Sequence, residues 1–150
     1  MVYLKDEGSV FDAPIDFVWK YLYGSEEHDA AHKTSKNSKF NKVSDVTFLY
    51  ESERFLQGKW AHDVMRISTF PPVSMVTEWL EGVLAGSKLM YVYSPEGEKT
   101  RIDVYGEFTS ASLPPEKVES AVREFLETEF AADAPVIREA YLKQKKHPKK

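Results

Sequence analysis

The sequence predicts an α+β domain in which an antiparallel sheet is followed by one long C-terminal helix. Residues 114–143 place Val118, Ala121, Val122, Phe125, Leu126, Phe130, Val136, Ile137 and Ala140 in one stripe at 100° per residue. That amphipathic pattern is about 30 residues long, roughly 45 Å as a helix. Residues 46–108 instead alternate at period two between Gly and Pro turn signals, the pattern of an antiparallel meander. Between the first strand and this meander, Phe17, Val18, Tyr21 and Leu22 stand at helical spacing.

Taken in order, residues 3–11 read as a first strand near a sheet edge, its alternation blurred by Lys5, Asp6 and Glu7. Asp12-Ala13-Pro14-Ile15-Asp16 opens a short helix that Gly24 stops, and residues 25–32 allow a second short helix. Residues 33–45, rich in Lys, Ser and Asn, read as a mobile loop. Strands are expected near residues 46–55, 59–70, 74–81, 87–94 and 101–108, with turns at Gln57-Gly58, Pro71-Pro72, 82–86 and Pro95-Glu96-Gly97. In the last strand Ile102, Val104, Gly106 and Phe108 share the inward phase, and in the one before it Leu89, Tyr91 and Tyr93 do. Strand 59–70 is ambiguous, because Trp60, His62, Val64, Arg66 and Ser68 compete with Ala61, Asp63, Met65, Ile67 and Thr69. Ser112-Leu113-Pro114-Pro115-Glu116 opens the long helix, with Ser112 or Leu113 at the cap. Pro135 cannot donate to the Ala131 carbonyl, yet the apolar phase continues past it, so the expectation is one kinked helix.

A chain of 150 residues with 42% hydrophobic and 29% charged residues is expected to form one domain over 1–143, with a basic, disordered tail at 144–150. The absence of Cys excludes disulfides, thiolate catalysis and Cys-ligated metals, and points weakly to the cytoplasm. The net charge of −4 hides a segregation: five of the 20 basic residues lie in 142–150, leaving 15 against 24 acids, or −9, on the body. An acidic body argues against nucleic acid as partner. No stretch has the length or apolarity of a membrane span, and no phosphate loop or nucleophile elbow occurs.

The segment Phe11-Asp12-Ala13-Pro14-Ile15-Asp16-Phe17-Val18-Trp19, the Pro71-Pro72 turn followed by Glu78-Trp79, and Gly106 in the last strand resemble the START and birch-pollen-allergen superfamily, also called SRPBCC, in its polyketide-cyclase-like branch. The resemblance spans nearly the whole chain. It implies a helix-grip fold: a curved sheet wrapped around the long helix, with two short helices after the first strand. It also implies a cavity between helix and sheet that holds a small hydrophobic ligand without a cofactor. On this reading Trp79, Leu89, Tyr91, Tyr93, Val104, Gly106, Phe125, Glu129 and Asp133 line the cavity, and Gly106 lets the helix approach closely.

Glu129 and Asp133, one turn apart in the apolar stripe, leave two readings open: Asp133 caps donors near Pro135 while Glu129 rotates to the surface, or at least one carboxylate enters the cavity. His28-Asp29-Ala30-Ala31-His32 has the i, i+4 spacing of two zinc ligands, but no third ligand is evident, so the expectation is surface histidines and no metal. His62 and Arg66 are expected outside. Three functions are compatible: a carrier or sensor of a small hydrophobic molecule, an aromatase- or cyclase-type enzyme using Glu129, Tyr91, Tyr93 or Arg66, and a chaperone-activator-like module using the outer sheet. Polar side chains converging in a cavity separate the first two; a missing cavity would favour the third.

Overall fold

The computed structural model describes residues 1–23, 28 and 32–146. Seven strands, β1 (Val2–Phe11), β2 (Ser35–Lys42), β3 (Thr47–Leu56), β4 (Lys59–Phe70), β5 (Ser74–Glu81), β6 (Lys88–Glu96) and β7 (Lys99–Phe108), form one sheet. Among the described residues a short helix α1 (Ile15–Leu22) and a long helix α2 (Pro115–Lys146) accompany it. The order is β1-β7-β6-β5-β4-β3-β2, antiparallel throughout, so β2 to β7 are a simple meander that β1 closes by pairing with β7. Helix α2 packs on β1 and β7 at one side and on β3 near the other, so the curved sheet wraps it. The second short helix expected over 25–32 lies outside the described residues, apart from helical His28 and from His32.

The blurred alternation of β1 has a local cause. Leu4 and Phe11 both face the core although they stand seven positions apart, an odd interval that a regular strand cannot accommodate. A register shift between Asp6 and Ser9 absorbs the extra residue, with Gly8 at φ 84° and its N–H donating to Asp103 Oδ1 at 3.0 Å. At the Gln57-Gly58 hairpin both residues have positive φ, 51° and 77°, as a twisted two-residue turn requires. Gln57 N donates to Glu124 Oε2 at 2.9 Å, which ties the β3–β4 turn to α2.

The loop expected over 33–45 is corrected by β2. Its backbone pairs with β3, but both of its faces are largely exposed, so no apolar alternation marks it. Its one large apolar residue, Phe40, stacks on Tyr50 at 4.5 Å. The ambiguity of β4 is also removed: Asp63, Met65, Ile67 and Thr69 are buried, while Trp60 and His62 are exposed and Arg66 pairs outside with Glu78 at 2.8 Å.

Helix α2 starts one residue later than expected, after Pro114, whose carbonyl accepts from Lys117 N and Val118 N. The Ser110 hydroxyl, rather than Ser112 or Leu113, caps the approach by accepting from both of their amides at 3.2 and 3.1 Å. The helix runs through Pro135 as one element and continues past Lys143, where Lys145 pairs with Glu98 at 3.2 Å. Its first half grips a solid core: Val118, Ala121, Val122, Phe125 and Leu126 are buried, and Phe125 meets Trp79 edge-on at 5.5 Å. Further along, Tyr141 packs against Phe17 of α1 at 5.2 Å. Among the described residues no helix is long and apolar enough to cross a membrane.

Candidate functional site

Between the second half of α2 and the sheet lies a pocket of ≈ 1100 Å³. It lies along the half of α2 beyond the Phe125–Trp79 contact, where the helix presents Glu129, Phe130 and Asp133. Phe11 stacks on Phe130 at 5.1 Å on one side, while Tyr91 and Tyr93, rings parallel 6.2 Å apart, and Val104 form the sheet wall. Met65 and Ile67 continue that wall on β4. Tyr23, just past α1, bonds through its hydroxyl to the Met75 sulfur. Burial and neighbouring tyrosines raise the pKa of Tyr23 well above its ordinary value; burial with nearby Glu129 does the same for Tyr91. Both phenols therefore stay neutral donors at physiological pH.

The other wall is a chain of paired charges. Arg54 on β3 is 7% exposed; its Nε donates to Asp63 Oδ2 at 3.1 Å and its Nη1 to Glu129 Oε1 at 2.9 Å. The second Glu129 oxygen lies 2.9 Å from His32 Nδ1, off the ring's N–H direction, so that contact is charge attraction more than a directed hydrogen bond. His32 Nε2 meets Asp133 Oδ1 at 2.9 Å, and His28 Nε2 reaches the same oxygen at 3.3 Å. The His28 ring stands edge-on to His32, 4.7 Å between centroids, and against Tyr21 at 5.2 Å.

Burial sets the baseline for each of these groups and its neighbours reverse it. Burial would lower the pKa of His32, but Asp133 and Glu129 override it and hold the imidazole at about 10. Burial would raise both carboxylates, yet His32 and Arg54 hold Glu129 below its ordinary value, and His28 and His32 do so for Asp133. Asp63 behaves differently: burial raises it and Arg54 only partly compensates. At neutral pH the wall is a buried, alternating ionic chain with every carboxylate facing a cation.

Neither a family model nor a curated protein matches the sequence. Solved structures do match in shape. The Zhui aromatase/cyclase from Streptomyces sp. R1128 superposes with a TM-score of 0.73 at 12% identity, over 95% of this chain and 96% of that one. A START superfamily protein from Mycobacterium smegmatis gives 0.73 at 12% identity, over 92% and 98%. Ara h 8.0201 gives 0.69 at 12% identity, over 91% and 97%. The chain has the START-like helix-grip fold. At these identities the likeness is one of fold, and the residues on the pocket wall are this chain's own.

Within this helix-grip frame, six of the nine side chains expected on the cavity wall border the pocket: Tyr91, Tyr93, Val104, Phe125, Glu129 and Asp133. Trp79, Leu89 and Gly106 do not; they lie in the solid part of the grip, where Trp79 sits between Phe125 and Phe108. Gly106 also makes room for something other than the helix. A Cβ there would stand 2.6 Å from the Lys88 carbonyl oxygen and 2.7 Å from the Phe108 ring, which folds back over the glycine. The reading in which Asp133 caps donors at Pro135 while Glu129 turns to the surface is overturned, since both carboxylates reach His32 from the inner face of α2. Sequence reasoning missed Arg54 and Asp63, although a signal existed. Arg54 shares the phase of Ser52 and Leu56, and Asp63 that of Met65 and Ile67, so opposite charges stood on the inward phases of two strands joined by a two-residue turn.

Proposed function

We propose that the chain binds a small, mainly hydrophobic molecule bearing one polar group in the pocket between α2 and the sheet. The observation that carries this reading is the pocket's division into an apolar, aromatic wall and a facing ionic wall built from Arg54, His32, Glu129 and Asp133. An apolar body gains by leaving water against Phe11, Ile67 and Phe130, at roughly 25 cal/mol per Å², while its polar end orients on the neutral tyrosine hydroxyls or on the charges. A pocket of ≈ 1100 Å³ admits a ligand of several fused rings or a folded chain.

Native mass spectrometry of protein purified from its own host tests this directly, the expected result being a retained small molecule. Displacement of a fluorescent apolar probe from Phe130→Asp gives an independent measure, with an expected affinity loss of tenfold or more. A host-purified protein without adduct, together with probe binding indifferent to Phe130→Asp, would move the site to the outer sheet and favour an interaction module.

A second reading, an aromatase- or cyclase-type reaction on the bound molecule, is favoured by the convergence of cation, carboxylates and phenols on one volume. Turnover of an extended poly-carbonyl chain that is abolished by Tyr91→Phe or Glu129→Gln without loss of binding would establish it. Unaltered substrate after prolonged incubation would leave the carrier reading standing.

A further inference from the structure

We propose that His28, His32 and Asp133 form a binding site for one divalent transition-metal ion on the pocket wall. The donor atoms His28 Nε2, His32 Nε2 and Asp133 Oδ1 come from two segments separated by about a hundred residues and all lie within 4.8 Å of one another. Metal–donor bonds of about 2.0–2.1 Å at tetrahedral or octahedral angles hold ligand atoms roughly 2.9–3.4 Å apart. The separations of 2.9 Å from His32 to Asp133 and 3.3 Å from His28 to Asp133 already fall in that range. A small swing of the His28 ring, which is 23% exposed, closes the third side.

Two features distinguish this cluster from an ordinary histidine–carboxylate pair. Both imidazoles aim their Nε2 atoms at the same carboxylate oxygen, so one cation at that point would meet all three donor atoms at once. Behind the cluster a second carboxylate is in place: Glu129 lies 2.9 Å from His32 on its other nitrogen, held there by charge attraction, and Arg54 fixes Glu129 in turn. Tyr21 backs the His28 ring. Once the ion displaces the His32 proton, two imidazole nitrogens and one carboxylate suit zinc or ferrous iron rather than calcium or magnesium, which prefer oxygen alone. All three side chains border the pocket, so the coordination positions they leave open face that volume, and a carbonyl, hydroxyl or carboxylate on a bound molecule is the group they would take. The site stands whether or not the pocket takes an apolar ligand.

The chain's other histidines, His62 and His147, are removed first as His62→Gln/His147→Gln, because His62 lies near Glu51 and Glu81 and could hold zinc by itself. Calorimetric titration of the full chain in this background with Zn²⁺ alone is expected to show one ion per chain. Adding His28→Gln should weaken binding tenfold or more, as should Asp133→Asn. Titration with Co²⁺ should give visible absorption bands that His28→Gln abolishes. Circular dichroism checks folding, and His28→Gln, at the more exposed ligand, carries the test if Asp133→Asn misfolds. No one-to-one binding by the background protein, or an affinity that His28→Gln leaves unchanged, overturns the proposal. Neither result bears on retention of an apolar molecule, so this site and the proposed function can fail separately.

Discussion

Replacing Arg54 with Met should unfold this protein more readily than almost any other single change on the pocket wall, and the size of the effect can be worked out. The substitution keeps an unbranched, buried side chain but strands two carboxylates. Glu129 retains His32, so the main cost falls on Asp63, whose side chain is 6% exposed and whose ion pair is Arg54; His62 and Glu129 act on it from farther away. An unpaired buried carboxylate can always escape by binding a proton. At pH 7 that costs at most about 1.36 kcal/mol for each of the roughly 3 pH units above an ordinary Asp value, or about 4 kcal/mol. Breaking buried ion pairs typically costs about 3–5 kcal/mol, in agreement. At about 2–4 °C per kcal/mol for a chain of this size, the melting temperature should fall by about 8–16 °C. The sign with pH follows: in the variant Asp63 has a folded-state pKa above its unfolded one, so the penalty is full well above the unfolded value and shrinks as pH falls towards it, to about 1.5 kcal/mol at pH 5. Asp63→Asn added to Arg54→Met should recover at least half of the loss and abolish the pH dependence. Asn is chosen because a larger side chain would crowd Gly82, where even an added Cβ would stand 2.4 Å from Asp63 Oδ1. Chemical denaturation of parent, single and double variants at pH 5 and 7 measures all of this. A single variant within about 1 kcal/mol of the parent at pH 7, or a deficit as large at pH 5, would refute the account of a dry, paired charge chain.

Gly106→Ala should cost about 1–3 kcal/mol, because its Cβ meets the Lys88 carbonyl and displaces the Phe108 ring, and thermal unfolding within about 1 °C of the parent would show that the strand yields freely. Pro135→Ala, at an exposed position of α2, should stabilise by about 1–2 kcal/mol, since the regained bond to the Ala131 carbonyl outweighs the freer unfolded chain; a lower denaturation midpoint would contradict this. In native-state hydrogen exchange, amides of β2 bonded to β3 should be slowed well beyond unfolded rates, and uniformly fast exchange over residues 35–42 would mean that this strand does not persist in solution.

The fold was legible wherever burial was one-sided. Strands β3 to β7 and helix α2 each bury one face against the other layer, and their periods of 2 and 3.6 are written in the positions of Val104, Phe108, Val122 and Phe125. Strand β2 was not legible because neither of its faces is buried, and β1 was blurred because Gly8 shifts its phase midway. The site divided along a similar line. Tyr91, Tyr93 and Val104 followed from strand phase, and Glu129 and Asp133 from their intrusion into an apolar stripe. Their partners did not follow, because nothing local in the sequence states that His32 lies against Asp133, 101 residues away. Trp79 and Leu89 were read as cavity wall because inward phase alone does not tell whether the opposing helix is in contact or standing off.

The plainness that hid β2 also protects the molecule. A sheet that does not close on itself ends in a strand whose outer N–H and C=O groups are unsatisfied by any neighbour, a template for another chain's strand. Here that outermost strand carries Lys36, Lys39 and Lys42, and a register shift between Lys36 and Lys39 interrupts its ladder. Two copies approaching edge to edge would bring lysines against lysines on a ribbon too irregular to zip. The cost is a strand held almost wholly by its pairing to β3, and the gain is an edge at β2 that disfavours pairing with further copies of itself.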